Sequence, residues 1–278
     1  MRLKTLLICS VLAVAVSASA AVVAETAAPG AVRTTDGHPD LSGYWSEGGP
    51  GGLGALGAAP PPGAKDLSLT PPLRNGDISN LTNDGVIARR SGDNLPLYKP
   101  QYWDKVLDLD WNGNKLDPYS SCMPANPPRL GPPRRIIMLP NEVIFFYSPI
   151  FQRNDFRDVP IGARNHPVDR DGGWLGDPVA HWEGDDLVVV TEGFNAESWI
   201  GPQGYLHGYD MKVTERFHLT PQGLVWQATV EDPEYLQKPW VMDPVRLRLL
   251  TGDHLFMEES PPCADRDNKN IVGKQREM

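Results

Sequence analysis

The feature that most constrains the fold of this chain is a series of short β-rich runs joined in pairs by turn residues. The runs are rich in Val, Ile, Leu, Phe and Thr, and Pro-Asn, Gly-Asp or Pro-Gln-Gly separates the members of a pair. The paired runs are 135–139 with 142–148, 179–183 with 186–191, 212–219 with 224–231, and 246–251 with 254–258. Such turn residues reverse the chain between strands, so the sequence predicts four antiparallel hairpins.

Four consecutive hairpins predict about eight strands and an all-β fold. Residues 212–219 alternate between apolar and polar side chains, which indicates a strand with one buried face. About eight antiparallel strands are enough to close into a barrel that holds one small ligand. We therefore expect an up-and-down barrel of the lipocalin or calycin kind. A β-sandwich is the alternative, because it produces the same pattern, and a short helix is predicted over residues 100–109.

The N-terminal part of the chain differs in composition from the rest. Residues 1–24 are typical of a secretory signal peptide, since two basic residues precede an apolar run that ends in small residues. Residues 25–100 are rich in Gly and Pro and predict an extended arm, which docks on the core through Trp45. Residues 101–278 are then the β-barrel domain. The signal predicts export to the periplasm, and no later run approaches the about 20 apolar residues of a membrane span.

Charge narrows the range of partners. The chain has 35 acidic and 26 basic residues, for a formal net charge of −9. Such a surface repels phosphate groups, so neither nucleic acid nor an anionic membrane is expected as a partner. A hydrophobic small molecule is the expected ligand or substrate, and the sequence makes no prediction of the oligomeric state.

Two cysteines, Cys122 and Cys263, remain after the signal peptide. In an oxidising compartment a disulfide between them is expected, and it would tie the start of the barrel domain to its end. A thiol nucleophile is the lesser alternative, because no CxxC pair or adjacent histidine accompanies either cysteine.

The candidate chemistry lies between residues 164 and 216, which contain three of the six histidines among several Trp and Tyr residues. Imidazoles titrate near neutral pH and aromatic walls suit an apolar ligand, so the combination predicts a pocket for proton transfer. The predicted catalytic residues are His166, Arg164, His207, Tyr209 and Glu215. The predicted substrate-binding residues are Trp182, His181, Trp199 and Tyr205.

Each catalytic candidate has a predicted role. His166 is the principal acid or base, and Arg164 would hold a carboxylate or a developing oxyanion. His207 or Tyr209 would complete the proton transfer. If Glu215 faces inward it requires a histidine or arginine partner, because an unpaired buried carboxylate is costly. The alternative is an outward Glu215 on a solvated sheet, and His181 could likewise line the interior or face water.

Several other chemistries lack their motifs. No GxSxG, phosphate-binding glycine loop or dinucleotide fingerprint occurs between a strand and a helix, so no organic cofactor is predicted. No metal is predicted either, because the histidines lack HxH or HExxH spacing. Residues 108–114 match the first half of a calcium loop, but Tyr119 stands where the bidentate Glu is required.

The chain resembles a family of exported bacterial proteins over residues 36–45 and 117–263. The resemblance rests on several segments taken together: DPYSSCMPANPPR at 117–129, RNHP at 164–167, WEGDDLVV at 182–189, and further matches at Thr191, Gly193-Phe194, His207 and Glu215-Arg216. It implies export, a compact fold and the importance of His166 and His207. It implies no particular reaction.

These observations lead to two main hypotheses of different class, beside a third in which the domain is an interaction element whose Gly/Pro-rich arm docks on a partner. The first is a cofactor-independent lyase or isomerase that acts by histidine-mediated proton transfer on a hydrophobic, aromatic small molecule. The second is a barrel that carries a lipophilic ligand without changing it. The first requires that distant histidines and Arg164 meet inside an apolar hollow.

Overall fold

The computed structural model describes residues 32–47, 94–147, 156–162, 165–166, 172–201, 203–252, 255 and 257. Among them twelve strands alternate with turns, and helix is confined to residues 100–121. The strands are β1 (Gly43–Glu47), β2 (Arg135–Met138), β3 (Glu142–Phe146), β4 (Phe156–Pro160), β5 (Asp177–Glu183), β6 (Asp186–Glu192), β7 (Trp199–Gly201), β8 (Tyr205–Leu206), β9 (Lys212–Thr220), β10 (Gly223–Glu231), β11 (Trp240–Val241) and β12 (Val245–Leu250).

Nine of the strands form a nearly closed barrel, and they follow one another around it in chain order. The order around the barrel is β1, β2, β3, β4, β5, β6, β9, β10 and β12, and β12 returns to β1. Every ladder between these strands is antiparallel. The predicted all-β, up-and-down barrel is therefore confirmed, with nine strands rather than about eight, and the sandwich alternative does not apply.

The barrel closes at a parallel seam between β4 and β5. An odd number of strands cannot alternate direction all the way around a closed sheet, so one neighbouring pair must run the same way. Here that contact is a single parallel bridge between Ile161 and Ala180. The Gly162 N–H donates to the Ala180 carbonyl at 2.9 Å. One bridge in place of a ladder explains why the barrel is nearly closed rather than continuous.

Three of the four predicted hairpins are confirmed as β2–β3, β5–β6 and β9–β10. The fourth is not seen as a hairpin. Its first run is β12, which pairs with β10 and β1 instead, and much of its second run, 254–258, lies outside the described residues. The sequence prediction did not include β1 or β4. Since β1 lies at Gly43–Glu47, part of the predicted arm is a strand of the barrel.

Helix begins where it was predicted. A 3₁₀ turn at Pro100–Tyr102 leads into α1 (Trp103–Trp111), followed by α2 (Gly113–Leu116) and a second 3₁₀ turn at Pro118–Ser121. Pro100 at the first position suits this start, because its missing N–H would have had no helical partner. None of the helices in the described ranges is long and apolar enough to cross a membrane.

Two hydrophobic cores organise the molecule. The first fills the barrel with inward side chains, as the strict alternation of buried residues along β10 shows. The second lies between α1 and the β7–β8 hairpin, around Tyr98, whose hydroxyl donates to the Leu206 carbonyl at 2.6 Å. Trp45 belongs to the first core and is 3 % exposed, and its Nε1–H donates to the Leu41 carbonyl at 2.9 Å.

Candidate functional site

His166 lies beside a carboxylate in the segment between β4 and β5. Its Nδ1 is 3.2 Å from Oδ2 of Asp177, the first residue of β5. The imidazole is partly exposed, with 22 % of its side-chain surface accessible, whereas the Asp177 side chain is 8 % exposed. A carboxylate on a rigid strand that contacts Nδ1 fixes the ring orientation and leaves Nε2 as the proton-exchanging nitrogen. We call this pair the His166 dyad.

The approach to the dyad is held by close backbone packing. The Gly173 N–H donates to the Gly193 carbonyl at 2.9 Å, and the Asn195 N–H donates to the Gly173 carbonyl at 3.0 Å. A Cβ at Gly172 would lie 2.3 Å from the carbonyl oxygen of Phe194, so only glycine allows this approach. Residues 172–176, which lead into Asp177, are thereby fixed against residues 193–195.

His207 occupies a different environment, buried among neutral polar groups. It is 1 % exposed, and its Nε2 lies 2.9 Å from Ser198 Oγ and 3.0 Å from Asn126 Nδ2. Its Nδ1 lies 2.9 Å from the Gly208 carbonyl oxygen. A carbonyl can only accept, so Nδ1 carries the proton and Nε2 is the acceptor. We call His207, Ser198, Asn126 and Gly208 the His207 cluster.

Burial lowers the pKa of His207 below its ordinary value, against the opposing effects of the Gly208 carbonyl and the Asp232 carboxylate. Asp232 touches the cluster indirectly, because its Oδ2 accepts the Gly208 N–H at 2.7 Å. The ring is therefore neutral at neutral pH, which matches partners that carry no charge. Among the described residues, Asn126 Oδ1 is buried without a hydrogen-bond partner.

An ion pair between Arg129 and Asp117 positions the segment that contains Asn126. Arg129 binds Asp117 through both guanidinium nitrogens, at 2.8 Å and 2.5 Å. The Asp117 carboxylate also accepts the Tyr119 N–H at 3.1 Å, at the start of the second 3₁₀ turn. The segment 117–129, part of the resemblance described above, is thus pinned at both ends and projects Asn126 inward.

The two histidines that were expected to meet have separate hydrogen-bond partners in the structure. No hydrogen bond among the described residues links His166 to His207. Phe194 stands close to both regions: its ring packs edge-on against His207 at 5.8 Å, and its backbone bridges Gly173. Arg164 lies outside the described residues, so its predicted place beside His166 stays a prediction.

Glu215 faces the barrel interior and has an arginine partner. Its Oε2 accepts from Arg157 Nη1 at 2.5 Å, and its Oε1 accepts the Trp226 Nε1–H at 3.1 Å. Arg157 also donates to Tyr147 Oη at 3.0 Å and to Thr191 Oγ1 at 2.8 Å. The condition stated for an inward Glu215 is therefore met by Arg157 of β4. We call these five residues the lumen cluster.

The lumen cluster is sealed from water. Glu215 is 0 % and Arg157 3 % exposed. Although burial opposes the charge, the Glu215 carboxylate keeps the pKa of Arg157 above its ordinary value. Large side chains that are almost fully buried fill the barrel around the cluster: Phe145, Phe217, Leu187, Leu224 and Leu247. This part of the lumen is therefore packed with side chains, and the predicted ligand cavity stays a prediction.

The predicted binding residues are spread over three places. Trp199 is buried, and Tyr205 is buried in the second core, where it packs against Tyr98 at 6.0 Å. His181 points outward from β5, with 46 % of its side chain exposed and Nε2 3.2 Å from Glu183 Oε1. Tyr209, a predicted catalytic residue, is 68 % exposed.

Trp182 lines a small open cavity at one end of the barrel. The cavity has a volume of about 200 Å³. Its apolar wall consists of Met138, Leu139, Pro140, Ile161 and Trp182, and its polar rim consists of Thr34, Thr35 and Asp36. Of the predicted site residues, Trp182 therefore borders a space that a ligand could enter, and we call this space the arm-side cavity.

Metal and cysteine predictions have separate outcomes. Within the described ranges, no group of three or more His, Cys, Asp or Glu side chains is placed to hold a metal. In the calcium-like segment, Asn112 caps α1 and its Nδ2 donates to Asp108 Oδ1 at 3.0 Å. Cys122 ends the second 3₁₀ turn, whereas Cys263 lies outside the described residues, so the disulfide stays a prediction.

Sequence reasoning missed four polar residues of these clusters. Arg157 and Asp177 are the charged partners of Glu215 and His166, and Ser198 and Asn126 are the neutral partners of His207. The inward Glu215 was the signal for an arginine partner, but nothing local identified which arginine. For Asp177, between Gly176 and Pro178, the sequence analysis contained no signal.

No family model matches the chain, and neither the curated proteins nor the solved structures contain a significant match.

Proposed function

We propose that this protein is a cofactor-independent enzyme of the lyase or isomerase class. It would act by histidine-mediated proton transfer on a hydrophobic, aromatic small molecule. The observation that carries the proposal is the His166 dyad, in which a partly exposed imidazole has Nδ1 at 3.2 Å from a mostly buried carboxylate.

The dyad has the properties of a general base. With its proton on Nδ1 directed at Asp177, His166 offers the Nε2 lone pair to a substrate C–H bond next to an electron-withdrawing group. After proton abstraction, the electron pair of that bond either expels a leaving group or shifts along the substrate. In the second case the imidazolium returns the proton to another carbon. Arg164 keeps its sequence-based role, which is to hold the oxygen on which negative charge develops.

In this proposal His207 positions the site and does not transfer protons. Its two nitrogens are both engaged with neutral partners, and it is 1 % exposed. The Phe194 ring packs against the His207 ring, and the Phe194 backbone forms a bridge to Gly173, within residues 172–176. Loss of His207 would therefore loosen the segment that leads to Asp177.

Hydrogen–deuterium exchange into substrate carbon tests the proposal even while the product is unidentified. The purified protein is incubated in D₂O with a library of aromatic acids, ketones and alcohols, and NMR detects exchanged C–H positions and new products. A compound that exchanges should lose its exchange by about 10²–10⁴-fold with the His166→Ala protein, which is the usual contribution of a general base. The Asp177→Asn protein should lose a smaller part of its exchange rate, because the substitution misorients the imidazole and does not remove it.

His218→Ala is the matched control, because it removes an imidazole on the barrel surface that belongs to none of the predicted site residues. The control protein should exchange as fast as the unmodified protein. Exchange that survives in His166→Ala would refute the assignment. Thermal shifts without exchange or products across the library would instead support the carrier hypothesis.

Export and the disulfide complete the proposal. We place the protein in the periplasm after cleavage of residues 1–24, on the sequence pattern described above. A bridge between Cys122 and Cys263 would then form in an oxidising compartment. Intact-mass measurement of periplasmic protein, with and without reduction before alkylation, checks the mature N-terminus and the bridge together. Two alkylated cysteines without reduction would contradict the bridge.

A further inference from the structure

The arm-side cavity is built by clamping a short turn of the N-terminal arm onto the end of the barrel. Residues 33–39 fold back on themselves, with an antiparallel bridge between Arg33 and Pro39. The Arg33 guanidinium binds both carboxylate oxygens of Asp185, in the β5–β6 turn, at 3.0 Å each. The His38 ring stacks on Trp182 at 4.4 Å with an interplanar angle of 2°. Two independent contacts thus fix the arm turn over Trp182.

The two sides of the cavity differ in chemistry. The barrel side is aliphatic and aromatic, and it ends in the indole of Trp182. The arm side has two threonines and the carboxylate of Asp36. The Thr34 hydroxyl donates to Asp36 Oδ1, and this hydrogen bond lowers the pKa of Asp36, so the group is ionised at neutral pH. The nearby guanidinium of Arg33 is taken up by Asp185, so it does not neutralise the rim.

Size and charge together limit what fits. A volume of about 200 Å³ is below the roughly 300–1,000 Å³ of pockets for drug-sized ligands, which points to one ring with a short side chain. A carboxylate has about four lone-pair sites, so Asp36 can accept from a ligand as well as from Thr34. An aromatic wall beside an anionic rim is complementary to an organic cation.

We propose that the arm-side cavity is a binding site for a small arylalkyl ammonium compound. Its ring would pack on Trp182 and the apolar wall, and its ammonium group would lie at Asp36. The site is separate from the His166 dyad, because Trp182 and Asp177 lie near opposite ends of β5. The proposal therefore does not depend on the proposed enzymatic function.

Calorimetric titration with three matched probes tests it: 2-phenylethylammonium, the neutral 2-phenylethanol and the anionic phenylacetate. The ammonium compound should bind at one site, and the alcohol should bind about threefold more weakly, as expected for a solvent-exposed charge contact. Phenylacetate should bind more weakly than the alcohol. The preference for the ammonium compound should shrink as salt is added, since the charge contact is exposed.

Two variants locate the site. Asp36→Asn should make the ammonium compound and the alcohol bind equally, and Trp182→Leu should weaken the ammonium compound about tenfold by removing the stacking surface. Asp158→Asn is the control, because it makes the same charge change on an exposed position of β4. Circular dichroism checks that each variant is folded, and Asp36→Asn, on an exposed turn, keeps the test decisive if Trp182→Leu unfolds.

Three results would overturn the proposal. They are the absence of binding heat from the folded protein at tens of millimolar probe, equal affinity for amine and alcohol in the unmodified protein, and unchanged amine affinity in Asp36→Asn.

Discussion

The lumen cluster and the His207 cluster are both almost completely buried, yet they accommodate their titratable groups by opposite means. The lumen cluster keeps a full charge on each partner, and Arg157 binds Glu215 at 2.5 Å. The His207 cluster has neutral hydrogen-bonding partners, and burial lowers the pKa of its one titratable member. The difference follows from chemistry: a guanidinium cannot lose its proton in a protein, whereas an imidazole loses its proton readily.

The two clusters also differ in the parts of the fold that supply their side chains. Four strands and the residue after β3 supply the lumen cluster, so its geometry is fixed by the registers of the barrel. Loops supply the His207 cluster, with Asn126 held by the Asp117–Arg129 pair. We therefore expect the lumen cluster to govern global stability and the His207 cluster to govern the pH dependence of stability.

The largest effect should come from removing one charge of the lumen cluster. Arg157→Met leaves Glu215 buried without its cation and should cost about 3–5 kcal/mol of unfolding free energy, measured by urea denaturation. In the double variant, Glu215→Gln also removes the unpaired buried charge, and the amide oxygen of the new side chain can still accept from Trp226. The double variant should recover a large part of the loss, which a double-mutant cycle quantifies. A loss below about 1 kcal/mol for Arg157→Met would remove the contrast between the clusters.

An intermediate effect is expected from pH at His207. Its pKa is lowered in the folded protein from the ordinary 6.5, so the unfolded chain binds the proton first as pH falls. Stability from this group is complete above about pH 6.5 and declines below it, by at most about 1.4 kcal/mol per pH unit.

The measurement is urea denaturation from pH 7.5 to 5.5, compared with His207→Gln, which does not titrate in this range. The pH slope should be shallower in His207→Gln than in the unmodified protein. His218→Gln is a control on the barrel surface, where the ring contacts Asp186 at 2.5 Å. Identical pH slopes for the unmodified and His207→Gln proteins would show that the His207 cluster does not lower the pKa of His207.

The smallest effect should come from an ion pair of similar length that is exposed. Lys212 Nζ lies 2.6 Å from Glu231 Oε2, but the two side chains are 37 % and 42 % exposed. Lys212→Met should change the unfolding free energy by less than about 1 kcal/mol, and the change should fall further in high salt. A loss as large as that of Arg157→Met would mean that burial does not distinguish the two pairs.

Local patterns predicted the hairpins well, because turn residues and alternation act over a few neighbouring residues. They failed for β4, and the reason is Arg157. An inward charge in Phe156–Pro160 breaks the apolar alternation that identifies a strand, so the same residue that completes the lumen cluster conceals its own element. The inward orientation of Glu215 was one of two alternatives, and β9 resolves it by pairing Glu215 with Val189 and Ala228.

The candidate site was less accessible to sequence reasoning, because its contacts join distant segments. His38 and Trp182 stack although they are far apart in the chain, and Ser198 and Asn126 reach His207 from different loops. Histidine type and aromatic neighbourhood predicted candidates but not partners. The part of the lumen that the structure describes holds Glu215, Arg157 and large apolar side chains, and the expected meeting of His166 and His207 in one hollow stays a prediction.

The odd number of strands in the barrel affects the length of the segment that contains His166. Had the number of strands been even, β4 and β5 would run in opposite directions and a tight turn of two to five residues could connect them. Because they run the same way, a tight turn cannot connect them, and the chain must reverse direction twice before β5 can start. Residues 161–176 connect the two strands. The odd number of strands therefore requires a longer connection between β4 and β5. This connection contains the imidazole of His166, on which the proposed chemistry depends.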